Sequence, residues 1–492
     1  MSSGRYGLVS DKQTGAVVRI YLRNPVPLSS SMVARLQYLD VSSDFFGLSV
    51  NDFSWVSRLV SLKHLEMNQV DLSLVNSNWL EAVNMFPDLI ELHLATCQFS
   101  CSISSLDVVN FTSLAVLDLH FNSFGSMFPN WLLNLSRLEY VDFTYCNLRR
   151  RIPLGLGTLP ELLDGAETCT SGNAFANFSN LDLSNNQMPG TIPSSLGNAK
   201  RLRNIGLSMN KLQGTLPKTF GLLNELVVLD VSFNQLTGIL SESHFAQLTK
   251  LKIVLLSGNS FTFNLESQKE MNFLDISNAS ISGSIPPWFW DVSSNLSLLN
   301  VSFNQLEGQL PNPLKVAPFA DVDFSFNLLS GFVPFPVVEI ELLDLSSNHF
   351  QGPIPPNISQ SMPDLIFLSR SNNKLSGEIP ASIGEMSLLQ VIDLSMNDLT
   401  GKVPNSIGNC AYLKVLDLGN NHLSGTIPDS LGMLNQLLSL HLNDNMFTDE
   451  LPISFKNMSR LETLDVGTTD YQEVFQPGLC TASWISEYSA SD

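Results

Sequence analysis

Positive charge is scarce in this sequence. Lys and Arg together number 26, against 46 Asp and Glu among 492 residues, so the formal net charge is −20 at pH 7. Nucleic acid is therefore disfavoured as a partner, because phosphate binding needs a basic face. Docking on an anionic membrane surface is disfavoured for the same reason.

A long apolar run is missing as well. The most apolar stretch, residues 332–345, is interrupted by two prolines and two glutamates, whereas a membrane-spanning helix needs roughly 20 apolar residues. The N-terminal segment MSSGRYGLVSDKQTG lacks the apolar core of a signal peptide. Taken literally, the sequence predicts a soluble chain that starts in the cytosol and has no transmembrane segment.

Motifs that carry chemistry are equally scarce. The six cysteines, at positions 97, 101, 146, 169, 410 and 480, show neither metal-ligand spacing nor a paired framework. The sequence contains no G-x-S-x-G, no P-loop and no kinase signature. We therefore expect a protein that is not an enzyme, with no cofactor and no metal site.

What the sequence does contain is an internal repeat, L-x-x-L-x-L-x-x-N-x-L-x-G-x-I/L-P. Clear copies are LRNIGLSMNKLQGTLP (202–217), LQVIDLSMNDLTGKVP (389–404) and LKVLDLGNNHLSGTIP (413–428). The Asn-type position recurs at residues 44, 70, 97, 122, 146, 186, 210, 234, 259, 279, 304, 327, 348, 373, 397, 421, 445 and 469, mostly at intervals of 23 to 25 residues. Such a period is typical of a solenoid, in which each coil buries its apolar face against its neighbours.

Each part of the repeat has a physical role. The L-x-L pair predicts a short strand with its leucines inward, and strands of successive coils stack in parallel about 4.8 Å apart. The Asn amide is expected to pair with backbone groups of its own coil and of the next coil, which forms a ladder. The Gly permits a tight turn. The predicted fold is an α/β-type repeat solenoid with a parallel β-sheet on the concave face.

Departures from the repeat are informative. Cys97 and Cys146 stand at ladder positions two coils apart, about 9.6 Å by strand spacing, which exceeds the reach of a disulfide. We expect both to be small buried substitutes for Asn. Arg370 replaces a strand leucine and should weaken its coil. The predicted segments are a cap remnant with the first strand (1–30), repeats (31–158), a degenerate repeat or loop (159–177), repeats (178–466) and a non-repeat tail (467–492).

The L-x-G-x-I-P ending resembles the plant-type leucine-rich repeat. The segments WLEAVNMFPDLIELHLATCQFS (79–100), VNFTSLAVLDLHFNSF (109–124), HFAQLTKL (244–251) and IPPWFWD (285–291) resemble plant receptor-like proteins, in particular the fungal-xylanase (elicitor) receptor subgroup. That resemblance covers roughly residues 7 to 466 and implies a plant-type leucine-rich-repeat superhelix.

The resemblance also implies a membrane topology and a mode of signalling. Such receptors are type I membrane glycoproteins at the extracellular side of the plasma membrane, with a cysteine-containing cap, a repeat array, one membrane span and a short tail. They lack a kinase domain and signal through partner kinases. Family members carry W-x-G-V-x-C before the first repeat, whereas this sequence has Arg5 and Ser10 at the Trp and Cys positions. We therefore expect a chain truncated at both ends relative to that plan.

An acidic column is predicted on the concave face. An Asp recurs between the two strand leucines, at Asp40, Asp118, Asp142, Asp182, Asp230, Asp275, Asp323, Asp344, Asp393, Asp417 and Asp465. One interpretation is a groove for a cationic peptide or a basic protein surface. The other is that L-D-L-S is simply the consensus of this repeat.

One part of that face carries the candidate ligand surface. His93, Asp118 and His120 fall on neighbouring coils, which makes a metal site conceivable, but no third strong ligand is evident. Nearby positions that are predicted to be exposed carry Phe121, Tyr140 and Tyr145, and the column residue Asp142 lies beside them. Exposed aromatic residues are the usual anchors of an interface, although they also pack along the strand edge in such repeats.

Eight N-x-S/T sequons are candidate glycosylation sites. They lie at Asn110, Asn134, Asn177, Asn278, Asn295, Asn300, Asn357 and Asn457. Three of them, Asn110, Asn134 and Asn457, share one repeat position on the turn before the first leucine, where a glycan would point to solvent. We expect glycosylation if the chain enters the secretory pathway.

The leading functional prediction is a ligand-recognition ectodomain of a defence-type receptor-like protein that binds a peptide or protein on its concave face and works with co-receptor kinases. The first alternative is a secreted inhibitor of microbial wall-degrading enzymes that resembles polygalacturonase-inhibiting proteins. The second is a non-functional truncated fragment, which predicts little protein because an uncapped array exposes its apolar core.

Overall fold

Two compact units, Met1–Met271 and Asn272–Asp492, divide the chain. The computed structural model describes residues 7–10, 17–21, 35–43, 48–50, 53–75, 79–154, 156, 177–245, 247–264, 271–285, 287, 289–336, 338–448 and 450–467. The expected degenerate segment up to residue 176, the expected tail from residue 468 and ladder positions 44 and 469 lie outside the described residues.

Each coil contributes one short main strand, formed by the L-x-L pair. In the first unit the main strands are Tyr38–Asp40, His64–Glu66, Glu91–His93, Val116–Asp118, Tyr140–Asp142, Asn180–Asp182, Asn204–Gly206, Val228–Asp230 and Ile253–Leu255. In the second they are Phe273–Asp275, Leu298–Asn300, Ala320–Asp323, Ile340–Asp344, Phe367–Ser369, Val391–Asp393, Val415–Asp417, Ser439–His441 and Thr463–Asp465.

The main strands pair in parallel and in register within each unit. Leu92 pairs with Leu117, which pairs with Val141, and all three are almost fully buried. The residues on either side of them face solvent, because side chains alternate along a strand. We call that solvent-facing side the strand face. The expected α/β-type solenoid of the plant leucine-rich-repeat type is confirmed.

A hairpin precedes the first coil. Gly7–Ser10 pairs antiparallel with Val17–Tyr21, and Val17–Tyr21 in turn pairs in parallel with the main strand Tyr38–Asp40. Residues 17–21 therefore extend the parallel sheet by one strand before the first coil.

Second strands and short helices complete the coils. The second strands are Pro189–Gly190, Lys211–Gly214, Gln235–Ser241 and Ser260–Asn264 in the first unit, and Ser282–Ser284, Gln305–Gln309, Leu328–Phe332, His349–Gly352, Lys374–Glu378, Asp398–Gly401, His422–Thr426 and Met446–Thr448 in the second. Most of them contain the repeat's glycine in the left-handed region, for example Gly352 at φ +85°, a conformation that residues with a Cβ atom adopt at a cost.

The helices on the opposite side of each coil are short. The 3₁₀ helices are Ser54–Arg58, Asn130–Asn134, Ser194–Asn198, Lys218–Leu222, Glu242–His244, Ala381–Glu385, Asn405–Asn409, Asp429–Met433 and Ile453–Asn457. The α-helices are Trp79–Val83, Phe289–Ser293 and Ile358–Ser361. Among the described residues, no helix is long and apolar enough to cross a membrane.

The asparagine ladder forms, but in the direction opposite to the expected one. The buried Asn122 accepts hydrogen bonds at Oδ1 from the backbone N–H groups of Cys97 and Phe99, at 3.0 and 3.1 Å. Its Nδ2 donates to the carbonyls of Leu94 and Leu119, both at 2.8 Å. Each Asn therefore joins its own coil to the preceding coil, and the expectation of the next coil was wrong.

The two ladder cysteines behave as the sequence predicts. Cys97 and Cys146 are fully buried and free. The thiol of Cys97 donates to the carbonyl of Met67 at 3.0 Å, and that of Cys146 donates to the carbonyl of Leu119 at 3.1 Å. Each thiol thus replaces one of the donors that an Asn amide supplies to the preceding coil.

Arg370 is the main irregularity of the second unit. Its side chain is fully buried, and none of its three guanidinium nitrogens has a hydrogen-bond partner among the described residues. Its backbone still follows the ladder, since its N–H donates to Asp393 O at 2.8 Å. Burial lowers the pKa of this guanidinium to about 9, so the group remains charged at neutral pH inside an apolar core.

Candidate ligand surface

Strand register lines up the candidate residues across neighbouring coils. His93 pairs with Asp118, and Asp118 pairs with Asp142. Because His120 lies two residues after Asp118, its side chain points to the same side. Register therefore brings together four side chains from three coils, His93, Asp118, His120 and Asp142, which we call the histidine–carboxylate cluster.

Contacts within the cluster are short. The Nδ1–H group of His120 donates to Asp118 Oδ1 at 2.6 Å, and His93 Nδ1 lies 3.4 Å from Asp118 Oδ2. His120 Nδ1 is also 3.8 Å from Asp142 Oδ2. The hydroxyl of Tyr140 donates to that same oxygen at 3.2 Å.

The cluster changes the acidity of its members. Burial alone would raise the pKa of Asp118, but hydrogen bonds from His120 and His93 hold it well below its usual range. The hydrogen bond to Asp118 raises the pKa of His120. The pKa of His93 is also raised, because the hydrogen bond to Asp118 and the nearby carboxylates outweigh burial. These groups favour an ion pair over two neutral partners.

Asp142 and Tyr140 show the opposite balance. Burial and the charges of Asp182 and Asp118 raise the pKa of Asp142, although hydrogen bonds from Thr144 oppose the rise. Burial and the nearby Asp142 raise the pKa of Tyr140, which keeps its hydroxyl a donor. This end of the cluster therefore carries more negative charge than its neighbours neutralise.

Two further members of the same network, His64 and Glu91, are not evident from the repeat pattern. His64 Nδ1 lies 3.1 Å from Glu91 Oε2, and His93 Nε2 lies 3.9 Å from that oxygen. The strand register was the available signal, since His64 pairs with Glu91. Three of the seven histidines of the chain thus lie on three consecutive coils.

An exposed aromatic pair borders the cluster. The rings of Phe121 and Tyr145 stack at 4.6 Å with 9° between their planes, and the two residues are 51% and 48% exposed. His120 meets Phe121 edge to face at 5.5 Å. Tyr140 is only half-exposed, so the expectation that it is an exposed aromatic was wrong. Its hydroxyl donates a hydrogen bond to Asp142.

The acidic column as a whole has a structural role. In all eleven of its aspartates, Oδ1 accepts the backbone N–H of the residue two positions later, at 2.8 to 3.2 Å. This Asx-type bond holds the turn that leaves each strand. This favours the interpretation of the column as a consensus feature of the repeat. The column by itself therefore does not mark a ligand surface.

The cluster departs from the repeat. The position of His120 is a serine in many other coils, and Ser232 and Ser395 bond to their own column aspartate through the hydroxyl, at 2.6 and 2.7 Å. One atom each from Asp118, His120 and Asp142 lies within 4.8 Å of the other two, and Glu66, Glu91 and His93 form a second such group. Asp142 therefore supplies the third ligand that was not evident from the sequence.

The candidate glycosylation positions differ in their surroundings. Asn110, Asn134 and Asn457 are exposed, and the last two end 3₁₀ helices. Asn278, Asn295 and Asn357 are exposed as well, and Asn177 is half-buried. Asn300 is different, because it takes a column position on the strand face and its Oδ1 accepts hydrogen bonds from the N–H and hydroxyl of Ser302.

Comparison with known proteins agrees with the repeat. Models of the leucine-rich repeat match residues 200–261 and residues 177–199, 339–361, 388–410, 412–434 and 436–458. Receptor-like protein 14 of Arabidopsis thaliana is 42% identical over 233 residues, 44% of this chain and 23% of that protein. Receptor-like protein EIX2 of Solanum lycopersicum is 32% identical over 137 residues, 28% of this chain and 13% of that protein.

Solved structures give the same result for the fold. The plant peptide hormone receptor RGFR1 in complex with RGF2 has a TM-score of 0.72 at 26% identity, over 89% of this chain and 71% of that one. The Arabidopsis receptor kinase HAESA, in complex with the peptide hormone IDA and the co-receptor SERK1, has a TM-score of 0.68 at 26% identity, over 94% and 87%.

Fold, ladder and repeat models together define a leucine-rich-repeat solenoid of the plant type. The chain is similar to plant leucine-rich-repeat receptor-like proteins, which confirms the resemblance predicted from its sequence. Its alignments span about a quarter or less of the curated receptor-like relatives named above.

Proposed function

We propose that this chain is a non-enzymatic ligand-recognition ectodomain of a cell-surface, immune-type receptor-like protein. It binds a peptide or protein on its strand face, at the extracellular side of the plasma membrane, and works through partner kinases. The observation that carries the proposal is that His93 and His120, which replace the column aspartate and the serine of the repeat, lie beside column aspartates and an exposed aromatic pair in one patch. That patch, the ligand patch, consists of His93, Asp118, His120, Phe121, Tyr140, Asp142 and Tyr145.

The place of the aromatic pair beside the histidine–carboxylate cluster supports a binding role for it. Phe121 and Tyr145 have φ of +53° and +55°, a region that is unfavourable for bulky residues. Other coils place Asn at the same turn, for example Asn185, which tolerates that region better. Phe233, Phe303 and Phe326 also occupy this turn at positive φ. What sets Phe121 and Tyr145 apart from the stacked pair Phe303 and Phe326 is their place beside the cluster, where His120 meets Phe121 edge to face at 5.5 Å.

Charge narrows the class of ligand. Asp142 lies between Asp118 and Asp182 in the paired strands, and Tyr140 donates its hydroxyl to it. A Lys or Arg side chain would compensate this carboxylate, and its aliphatic part or guanidinium plane could pack on the aromatic pair. The favoured ligand is therefore an extended peptide or a protein loop with a basic residue next to an apolar one.

The similar structures support this choice of ligand class. Two of them are receptors solved with peptide hormones, RGF2 in one and IDA in the other, and the second also contains the co-receptor SERK1. A co-receptor kinase for this chain is proposed on the same basis. Glycosylation at Asn110, Asn134 and Asn457, none of which lies on a main strand, is compatible with it.

Selection from a random peptide library tests the proposal. Phage displaying random 12-residue peptides would be panned against the chain in EDTA, and enriched peptides would be measured by calorimetry. Replacing both Phe121 and Tyr145 by Asn should weaken binding at least about tenfold, as expected for interface anchors. The matched control replaces Phe303 and Phe326, which stack at 4.2 Å in the second unit, and should leave affinity within about twofold.

Each alternative predicts a different result. A secreted inhibitor would bind a folded wall-degrading enzyme and select no short peptide. A non-functional fragment would unfold without cooperativity and select nothing. Peptides that bind both double variants as tightly as the unchanged chain would overturn the assignment of the ligand patch.

A further inference from the structure

The geometry points to a zinc site formed by Asp118, His120 and Asp142 on the strand face. This inference concerns the first unit alone and does not depend on the proposed ligand. The donor atoms are Asp118 Oδ1, His120 Nδ1 and Asp142 Oδ2, at least one coordination position remaining open. An imidazole with two carboxylates is a donor set that suits zinc and other borderline divalent ions rather than magnesium.

Separations between the donor atoms fit this use. Tetrahedral coordination with bonds near 2.0 Å places neighbouring donors about 3.3 Å apart. His120 Nδ1 is 2.6 Å from Asp118 Oδ1 and 3.8 Å from Asp142 Oδ2, values on either side of that separation. A shift of less than about 1 Å would therefore open the Asp118–His120 hydrogen bond and close the gap to Asp142. Zinc would take the Nδ1 lone pair in place of the bridging proton, which would leave or move to Nε2.

Neighbouring groups already hold the donors in place. Backbone N–H groups fix one oxygen of each carboxylate: His120 N bonds Asp118 Oδ1 at 3.2 Å and Thr144 N bonds Asp142 Oδ1 at 2.8 Å. His93 lies against the other oxygen of Asp118 at 3.4 Å, and Tyr140 donates to the proposed donor oxygen of Asp142 at 3.2 Å. Such outer contacts orient ligands and raise metal affinity.

Burial also suits a bound ion. The side chains of Asp118 and Asp142 are only 13% and 14% exposed, and that of His120 is 32% exposed. These side chains lie on or next to paired main strands, and the hydrogen bonds between those strands limit the movement of the donor atoms. Rigid elements of this kind hold ligands more reproducibly than loops do.

Calorimetric titration of the EDTA-stripped, dialysed full chain with zinc chloride tests the site. We expect one zinc per chain with a Kd below about 10 µM. His120→Gln and Asp142→Asn should each weaken binding at least about 100-fold. Asp182→Asn is the matched control, because it removes a carboxylate from the next coil of the same column and should change affinity less than about threefold. Circular dichroism without metal establishes that each variant is folded, and two ligand variants keep the test valid if one unfolds.

Cobalt supplies a second readout. Cobalt(II) bound through an imidazole should give visible absorption in the unchanged chain that His120→Gln abolishes. Equal weakening by Asp182→Asn and Asp142→Asn would show a diffuse acidic surface and overturn the site. Loss of binding in Glu91→Gln but not in His120→Gln would assign the ion to the Glu66–Glu91–His93 group and overturn it too. Binding of no saturable zinc below about 1 mM would do the same.

Discussion

Phe121 and Tyr145 stack at 4.6 Å with their ring planes 9° apart, although both residues hold the backbone at positive φ. Stacking of this kind contributes about 0.5–1.5 kcal/mol, and the left-handed backbone costs about 1 kcal/mol or more for each bulky residue. For the replacement of one ring, the stacking lost and the strain relieved at that residue are similar in size. Replacing one of the two rings is therefore expected to be close to neutral for folding.

Phe121→Asn should accordingly leave the free energy of unfolding within about 1 kcal/mol of the unchanged chain, because Asn relieves the backbone strain while the stacking is lost. Urea unfolding measures this. Phe143→Asn is the control, since that ring is fully buried and its loss should cost about 3 kcal/mol or more. A loss of similar size for Phe121→Asn would mean that the aromatic pair serves the fold.

Arg370→Leu should raise the free energy of unfolding of the second unit by about 3 kcal/mol, because it replaces an unpaired buried charge by an apolar side chain. Leu345 and Leu394 occupy the corresponding position in the neighbouring coils and are fully buried. The reciprocal change, Leu394→Arg, should lower stability by a comparable amount. Equal stabilities of the unchanged chain and Arg370→Leu would show that the guanidinium finds a compensating partner in solution.

Asp344→Asn should stabilise the chain at pH 7, by about 0.5–1 kcal/mol. Burial and the charges of Asp323 and Asp393 raise the pKa of Asp344, against hydrogen bonds from Ser346 that lower it. Because the pKa of Asp344 is raised in the folded state, its contribution to the free energy of unfolding is fully present only below its unfolded pKa of about 3.8. This contribution is lost as pH rises through the folded pKa.

The advantage of Asp344→Asn should therefore shrink as pH falls and vanish below about pH 4. Chemical unfolding between pH 3.5 and 7 measures it, with Asp398→Asn, an exposed side chain on a second strand, as the control. A difference that stays constant over this range would contradict the electrostatic explanation.

Asn122→Ala should cost about 3 kcal/mol, because it leaves buried backbone groups of two coils without partners. Cys146→Asn is the informative comparison, since the neighbouring ladder residue Asn186 already bonds Cys146 N at 3.2 Å. An Asn there restores the missing amide and should be neutral or stabilising. Native-state hydrogen exchange at Cys97 and Phe99 would localise the loss in Asn122→Ala, and slow exchange at both would contradict the ladder bonds.

The repeat made most of the fold predictable. Its period placed the main strands, the ladder and the left-handed glycines, and it identified Cys97 and Cys146 as ladder substitutes. A period fixes position but not side-chain direction. The side-chain amide of Asn122 bonds to the preceding coil, although a bond to the next coil was expected. The next coil is joined through backbone hydrogen bonds instead.

The candidate site was only partly predictable. Spacing placed His93, Asp118 and His120 on one face, but the contacts of Glu91 with His64 and His93 depend on strand register and rotamers. The structural role of the consensus Asp-x-Ser was not evident from the sequence. Each column aspartate accepts a hydrogen bond from the backbone N–H two residues later. Tyr140 was predicted to be exposed because the alternation of side chains along a strand indicates the face of a side chain but not how much of it is buried.

A double-mutant cycle between Asp142 and a basic residue of a selected peptide tests the ligand patch most directly. Asp142→Asn and an Arg→Gln change in the peptide would be combined and measured by calorimetry in EDTA. We expect a coupling energy of at least about 1 kcal/mol, since the two charges meet at a partly buried site. The same cycle with Asp393→Asn, in the second unit, should give none. A coupling energy near zero at Asp142, or an equal one at Asp393, would contradict recognition at this patch.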